Sequence, residues 1–166
     1  MNYVIGTGGV GSWLAHAMTK LVDPSKIVLV DGDTLEEKTL DRQLFTEQDI
    51  GSGKAMALGG RLGCEFIDRW YSRYEVEHHR MDWLMCCVDN NPGRKEVLDA
   101  CDLHGCSAIF AANEVHSSEA YYYRRSWKGT PRDPRVYYPE LATDKSGDPR
   151  AQIVYEFMQR ICQTVP

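Results

Sequence analysis

Several features that would set a chain apart from ordinary globular proteins are missing from this 166-residue sequence. No run approaches the ~20 consecutive apolar residues that a membrane-spanning helix needs, so we predict no membrane segment. The first residues, MNYVIG, lack the basic region, apolar stretch and small-residue cleavage site of a secretion signal. The six cysteines show no C-x-x-C spacing, which argues against a cysteine-based zinc site and favours a reduced, cytoplasmic protein.

The sequence also has fewer basic than acidic residues. The 19 lysines and arginines are outnumbered by 24 aspartates and glutamates, and this acidic balance argues against indiscriminate nucleic-acid binding. A local exception is the basic and aromatic part of a segment rich in proline, glycine and charge, at residues 119–150. Because Glu119 and Asp133 are interleaved with its cations, we interpret this segment as an irregular, loop-rich insertion at a protein interface, beginning with a strand.

Short apolar strands alternate with helical patterns along the chain. The predicted strands are 3–5, 26–30, 83–88 and 107–112, with an edge strand within 66–74. The predicted helices are 12–21, about 52–62, 91–105 and about 151–162. This alternation predicts an α/β fold of the Rossmann-like, doubly wound type, with a largely parallel sheet and helices on both faces.

Local patterns define the expected ends and faces of these helices. Ser52 and Asn91 are predicted to cap the second and third helices, and Gly105 is predicted to end the third. In the first helix, apolar residues recur at helical spacing and are expected on one buried face, namely Trp13, Leu14, Ala17 and Leu21.

The stretch from Val4 to Ser12, VIGTGGVGS, joins the first strand to the first helix. Glycines let the backbone turn sharply and approach a ligand, and the helix directs its unpaired N–H groups at the loop. The loop glycines are Gly6, Gly8, Gly9 and Gly11. Asp31 ends the second strand about 20 residues after Gly11, where a carboxylate accepts hydrogen bonds from a ribose. Alone, this generic dinucleotide fingerprint predicts a nucleotide of some kind.

The residues after Asp31 favour a triphosphate. Arg42, Gln43 and Lys54 would bring two cations and an amide toward the phosphates. Hydride-transfer enzymes have little need of such cations, whereas phosphoryl and adenylyl transfer require positive groups or a metal to meet the developing charge. Asp89, at the end of another strand that reaches the same edge, is suited to hold Mg²⁺ through its oxygens.

Four blocks match a known family in their order and separations: GTGGVGS, VDGDTLEEKTLDRQLF, IGSGK and CCVDNNPGR. The match covers residues 4–112 and resembles the ThiF/MoeB adenylyltransferases, the bacterial relatives of ubiquitin-activating enzymes. The resemblance implies a homodimeric enzyme that uses ATP and Mg²⁺ to adenylate a C-terminal carboxylate and releases pyrophosphate. The substrate in this family is a protein or peptide, often a ubiquitin-like sulfur carrier ending in glycine.

Matching positions carry the roles of the family's residues onto this chain. Arg42 and Lys54 would bind the triphosphate and stabilise the charge that develops during transfer, and Asp89 would coordinate Mg²⁺. Asp31 would hold the ribose, and Gln43 would line the phosphate loop. The full set predicted to bind the nucleotide is Gly6, Gly8, Gly9, Gly11, Asp31, Asp33, Gln43 and Asn90.

The sequence also departs from the family. Thr39 stands where asparagine is usual, which puts one polar contact near the phosphates in question. An N-terminal helix with an arginine for the partner's site and paired zinc cysteines are missing. Because family domains run longer, we predict a single adenylation domain over residues 1–166 that is incomplete at its C-terminus.

Alternatives remain open for the function and for individual residues. The glycines and Asp31 also fit an NAD-dependent oxidoreductase, and Thr39 fits a nucleotide-binding scaffold with reduced catalysis. Asp33 is equally typical of a turn, and Arg94 matches a family arginine that is either structural or close to ATP. Two cysteines, Cys101 and Cys106, are candidate thioester nucleophiles but are better explained by packing.

Overall fold

The computed structural model describes residues 1–40, 43–113 and 118–142. Its strands are β1 (Asn2–Ile5), β2 (Ile27–Val30), β3 (Glu65–Ile67), β4 (Trp83–Cys86), β5 (Ser107–Asn113) and β6 (Ser118–Arg124). Its α-helices are α1 (Gly11–Met18), α2 (Lys54–Leu62), α3 (Asn91–His104) and α4 (Pro134–Tyr137). Short 3₁₀ turns occur at Pro24–Lys26, Glu37–Thr39, Glu47–Asp49, Arg125–Trp127 and Pro139–Ala142.

The six strands form one sheet in the order β3-β2-β1-β4-β5-β6. Strands β1 to β5 are parallel, and β6 pairs antiparallel with β5. Ile5 at the end of β1 is aligned with Val30 of β2 and with Cys86 of β4. The carboxyl ends of these three strands therefore meet at one edge, where the strand order reverses and open α/β sheets bind ligands.

Helices pack on both faces of the sheet. Val4 and Leu29 belong to a buried cluster with Ala15 of α1 and Leu58 of α2. The alternate residues of the same strands, such as Tyr3 and Ile5, belong to a second cluster with apolar residues of α3. Because side chains alternate along a strand, each short apolar run supplies both clusters. The predicted α/β, doubly wound fold is confirmed.

The buried face of α1 differs from the prediction. Trp13 and Ala17 are exposed, whereas Gly11, Ser12 and Ala15 are buried. The helix begins so close to the sheet that only small residues fit between them, and this close approach outweighs the apolar spacing. Leu21, which the spacing places on the buried face, is 86% exposed and lies beyond the end of the helix at Met18.

Two helix caps are also shifted by one residue. The residue before α2 is Gly53 rather than Ser52, because a Cβ there would lie 2.0 Å from Asp68 Oδ1. The carboxylate of Asp68 instead lies at the positive end of the helix. Asn90 caps α3 in place of Asn91, and its Oδ1 accepts a hydrogen bond from Gly93 N–H (2.8 Å).

Other element boundaries follow the predictions more closely. Gly105 ends α3 in the left-handed conformation (φ 77°), as expected of a residue at this position. The edge strand expected within 66–74 is shorter, since β3 covers Glu65–Ile67. The segment 119–150 begins with strand β6, as predicted, but its last residues and the helix expected at 151–162 lie outside the described residues. None of the helices in the described ranges has the length and apolar character required to cross a membrane.

Candidate functional site

The glycine loop between β1 and α1 turns back on itself at the carboxyl edge. Gly6 has a positive φ of 85°, and its N–H donates to Val30 O (2.8 Å). A Cβ on Gly11 would lie 1.8 Å from Gly6 O, so this position requires glycine. No side chain caps the first turn of α1. The loop is therefore closed around its own backbone, and the uncapped helix end is suited to an anion.

Asp31 lies beside this loop, as the sequence predicts. Its carboxylate accepts hydrogen bonds from Thr7 N–H (2.6 Å), Thr7 Oγ1 (3.0 Å) and Asp33 N–H (2.9 Å). Asp31 and Thr7 are both buried. The carboxylate thus ties the end of β2 to the glycine loop. Thr7 was not predicted, because the motif leaves the residue between its first two glycines unspecified.

Lys54, at the start of α2, is a buried cation. Its side chain is 10% exposed, and Nζ lies 2.7 Å from Asp33 Oδ2. A β-bridge between Thr34 and Gly53 brings the two segments together. Lys54 is therefore not an ordinary solvated lysine, and Asp33 is its ion-pair partner as well as a residue of the loop after β2.

Gln43 packs over the glycine loop. It is 8% exposed, and its Nε2 lies 4.0 Å from where a Cβ of Gly8 would stand. Its Oε1 is buried and has no hydrogen-bond partner within the described part of the chain. The next residue is fixed nearby, since Leu44 N–H donates to Ser12 Oγ (3.2 Å). An unpaired buried carbonyl costs free energy, so this amide is a candidate for contact with a bound ligand.

The loop after β4 reaches the same edge. Cys87 N–H donates to Ile5 O (2.8 Å), and a Cβ on Gly6 would lie 3.0 Å from the carbonyl carbon of Cys87. Asp89 follows and is exposed, whereas Asn90 uses its Oδ1 to cap α3. Arg94 Nε donates to Val88 O (3.3 Å), which supports the structural role considered for this arginine.

The predicted metal site consists of Asp89 alone. Across residues 1–40, 43–113 and 118–142, no group of three or more histidine, cysteine or acidic residues could hold a metal ion. An exposed carboxylate at this edge nevertheless fits Mg²⁺, which usually binds one or two carboxylates together with substrate phosphates and water. Arg42, predicted to bind the triphosphate, lies outside the described residues.

A shallow cleft between α3, β5 and β6 was not predicted from the sequence. It is shallow, since the roughly 170 Å³ of empty space there includes open solvent and encloses no room for a molecule, and it is lined by Arg94, Phe110, Ala111, Ala112, Glu119 and Tyr121. The Phe110 and Tyr121 rings stack across β5 and β6 with centroids 4.7 Å apart. The cleft depends on the antiparallel pairing of β6, and no short motif signals that pairing.

Three further residues take structural roles. Thr39 Oγ1 donates to Glu36 O (2.8 Å), so its hydroxyl is used within a turn. Cys101 and Cys106 are completely buried, with their sulfurs 3.9 Å apart. This burial supports packing over thioester chemistry for both cysteines.

Several cations of the basic segment have partners within the protein. Arg135 pairs with Asp102 (2.9 Å) and Asp133 (2.9 Å), and Arg124 and Arg132 lie over the Trp127 ring. These contacts engage three arginines of the segment within the protein itself.

Comparison with known proteins gives consistent matches. The model of the ThiF family covers residues 2–137. The chain is 32% identical over 80 residues to the NEDD8-activating enzyme E1 catalytic subunit of Saccharomyces cerevisiae, covering 48% of this chain and 25% of that protein. It is 27% identical over 119 residues to ubiquitin-like modifier-activating enzyme 5 of Dictyostelium discoideum, covering 59% of this chain and 31% of that protein.

Two solved structures share the fold. Escherichia coli tRNA N6-threonylcarbamoyladenosine dehydratase, TcdA, in complex with AMP superposes with a TM-score of 0.57 at 20% identity, covering 66% of this chain and 49% of that chain. Escherichia coli MccB with MccA gives a TM-score of 0.59 at 21% identity, covering 67% and 36%. The matched part of the chain corresponds to about a quarter to a third of the length of the curated relatives. With the family model matched over most of its residues, the chain belongs to the ThiF family.

Proposed function

We propose that this chain is an ATP-dependent adenylyltransferase domain that activates a C-terminal carboxylate and releases pyrophosphate. The observation that carries the proposal is Lys54, a buried lysine whose ammonium is paired with the half-exposed Asp33. Burying an ammonium is costly unless an anion meets it. A lysine held at the ligand edge of the sheet is suited to a triphosphate, and a bound dinucleotide does not require it.

The glycine loop would receive the phosphates. Gly8 leaves open space beside the backbone, Gly6 and Gly11 allow the tight turn of the loop, and the uncapped end of α1 would attract negative charge. Lys54 and Arg42 would stabilise the charge that builds on the phosphates as pyrophosphate leaves. Because the attacking carboxylate is already a nucleophile, positioning and fixed charge would supply most of the rate enhancement.

Two buried polar groups would orient the nucleoside. Asp31 is fixed by Thr7 and by Asp33 N–H, and its carboxylate retains lone pairs for ribose hydroxyls. The unpaired Oε1 of Gln43 would accept a hydrogen bond from the ligand at the phosphate loop. Asn90 would contribute through the part of its amide that does not cap α3.

Asp89 would hold Mg²⁺ together with phosphate oxygens. When bound, the metal would neutralise charge on the triphosphate. The exposed carboxylate of Asp89 would place the ion at the carboxyl edge of the sheet.

The acyl substrate would approach the carboxyl edge over the shallow cleft that Arg94 and Tyr121 line. Arg94 would offer a cation to the carboxylate, and the tail would lie across the cleft, which is too shallow to enclose it. The relatives named above include enzymes that activate NEDD8 and a ubiquitin-like modifier, and MccB is seen with MccA. A ubiquitin-like carrier or peptide with a C-terminal glycine is therefore the proposed partner.

The proposal also includes a homodimer, a cytoplasmic location and a single adenylation domain. The exposed Trp13 and Ala17 of α1 provide apolar surface for a homodimer. The fully buried thiols are consistent with a reduced, cytoplasmic protein. Residues 1–166 would form a single adenylation domain.

Pyrophosphate exchange into ATP tests this function directly. The assay uses the whole chain with Mg²⁺ and a panel of small proteins and peptides ending in glycine, each beside a version with an amidated C-terminus. Exchange that needs the free carboxylate is expected. Lys54→Met should reduce it strongly, whereas Lys20→Met, at an exposed lysine after α1, should not.

A nucleotide-binding scaffold without catalysis is the second candidate. It is favoured by Thr39, whose hydroxyl bonds to Glu36 O within a turn, where the family usually has asparagine. ATP binding in the absence of exchange for every carboxylate substrate would support the scaffold and contradict the adenylyltransferase.

A further inference from the structure

Trp70 is a large aromatic residue exposed at the same edge of the sheet. It lies three residues after β3 ends at Ile67, and it is 66% exposed. Strand β3 borders β2, and Asp31 N–H donates to Ile67 O (3.3 Å). Trp70 therefore stands on the side of β2 that is opposite to β1 and the glycine loop.

The position of the indole depends on Gly32. A Cβ on Gly32 would lie 2.6 Å from the backbone nitrogen of Trp70 and 2.7 Å from its ring atom Cδ2. The ring thus packs against the backbone that directly follows Asp31. No other aromatic ring or cation among the described residues packs on it. One part of the indole packs against the Gly32 backbone, and the rest of the ring is exposed to solvent.

The order of groups along the site matches the order of groups in a nucleotide. The glycine loop, suited to phosphates, lies on the β1 side of Asp31, and Trp70 lies on the β3 side. In a nucleotide, phosphates and base are attached to opposite ends of the ribose. A ribose bound by Asp31, with its phosphates at the loop, would therefore direct its base toward Trp70.

We propose that Trp70 is the stacking surface for the base of the bound nucleotide. The inference rests on the proposed function, because the ribose is located by Asp31. Exposed aromatic side chains are the usual platforms for bases that are not paired, since every base has a π-face. The indole would contribute to affinity and orientation of ATP and would take no part in the transfer of the adenylyl group.

The test compares two probes, ATP and inorganic tripolyphosphate, which lacks the ribose and base. Dissociation constants are measured by calorimetry for the wild-type chain and for Trp70→Ala, Trp70→Phe and Trp83→Ala. Trp83 is a matched control because it lies at the start of β4, at the opposite edge. Thermal melting verifies that each variant is folded, and removal of a mostly exposed side chain should leave the fold intact.

Trp70→Ala is expected to weaken ATP about ten-fold and to leave tripolyphosphate unchanged, while Trp70→Phe retains most of the affinity. ATP should quench tryptophan emission more strongly in the wild type than in Trp70→Phe. Equal ATP affinity in Trp70→Ala and wild type, or an equal loss for both probes, would overturn the stacking role alone. A wild-type chain that binds no ATP would overturn the proposed function and this inference with it.

Discussion

Lys54 and Asp33 are joined twice, once through side chains and once through the backbone. Lys54 Nζ lies 2.7 Å from Asp33 Oδ2, and Lys54 N–H donates to Asp33 O (2.9 Å). The backbone contact holds the two residues together even when the side chains separate. Since a phosphate and the Asp33 carboxylate would compete for one ammonium, we expect this ion pair to be exchanged for a phosphate contact when a nucleotide binds.

Asp33→Asn should therefore lower the stability of the free protein and strengthen the binding of ATP. Because the buried Lys54 ammonium loses its partner, the substitution is expected to reduce the free energy of unfolding by about 1–3 kcal/mol. ATP should then raise the melting temperature more than in the wild type, because Lys54 no longer has a competing anion. Differential scanning fluorimetry with and without ATP measures both effects. Glu37→Gln, at an exposed residue, is the control, and an equal ATP shift in Asp33→Asn and wild type would contradict the exchange.

Two neighbouring glycines of α2 should respond differently to alanine. A Cβ on Gly60 would have no atom within 4 Å, whereas a Cβ on Gly59 would lie 2.9 Å from the Phe66 ring. Gly60→Ala is expected to raise the free energy of unfolding by about 0.5–1 kcal/mol through helix propensity. Gly59→Ala should show no such gain, because Phe66 must move. Urea denaturation of both variants measures the free energy of unfolding. An equal increase in both would show that Phe66 is loosely packed against Gly59.

His78 should make the fold sensitive to acid. It is buried between Tyr3, Tyr71 and His104, and Tyr71 Oη lies 2.7 Å from its Nε2. Burial lowers the pKa of His78 from 6.5 to about 4, because the charged ring loses solvation, although nearby Asp82 opposes the shift. The folded state thus disfavours the proton that the unfolded state accepts. Stability is complete above pH 6.5 and falls by about 3 kcal/mol as the pH drops toward 4.

Urea titrations between pH 4.5 and 7.5 measure this slope. His78→Gln should flatten it, whatever the variant does to stability at neutral pH. His79→Gln changes an exposed neighbour and should keep the wild-type slope. The contact of Asp82 with the N-terminal ammonium lowers the pKa of this carboxyl group. Its contribution to the free energy of unfolding is therefore lost only below the pH range of these titrations, and it does not mask the effect of His78. A slope that is unchanged in His78→Gln would exclude this histidine as the source.

The buried thiols should be protected in the native protein. Burial raises the pKa of Cys86 and Cys87 to about 12, and Cys101 and Cys106 have no exposed surface. Iodoacetamide at pH 8 should leave Cys86, Cys101 and Cys106 unmodified until urea is added, as peptide mapping by mass spectrometry would show. Rapid native labelling of Cys101 or Cys106 would contradict their packing role and revive the thioester hypothesis.

Sequence reasoning predicted that the candidate residues would lie at one edge, because parallel strands bring their carboxyl ends together. Gly6, Asp31 and the Asp89 loop follow three such strands, and the register of β1 with its neighbours places all three at one edge. The pairing of Lys54 with Asp33 was not predictable, since it depends on the Thr34–Gly53 bridge between two irregular segments.

The errors also have physical causes. Helical spacing predicts Trp13 in the core, but α1 approaches the sheet too closely for a large side chain, and Ala15 is buried instead. Trp70 falls in a stretch whose pattern is typical of an edge strand, and only its contact with Gly32 connects it to the site. The spacing of apolar residues predicts which face of an element is buried. It does not show which aromatic side chains stay exposed at the carboxyl edge of the sheet.

The contact between Gly11 and the Gly6 carbonyl has a kinetic and entropic consequence. A loop closed against its own backbone, and bonded through Thr7 to Asp31, is held in one conformation before any ligand arrives. A ligand would lose its own freedom on arrival without also having to order the loop. Association should then be limited by encounter rather than by rearrangement, and adding a methyl group at Gly11 would remove that advantage by forcing the loop open.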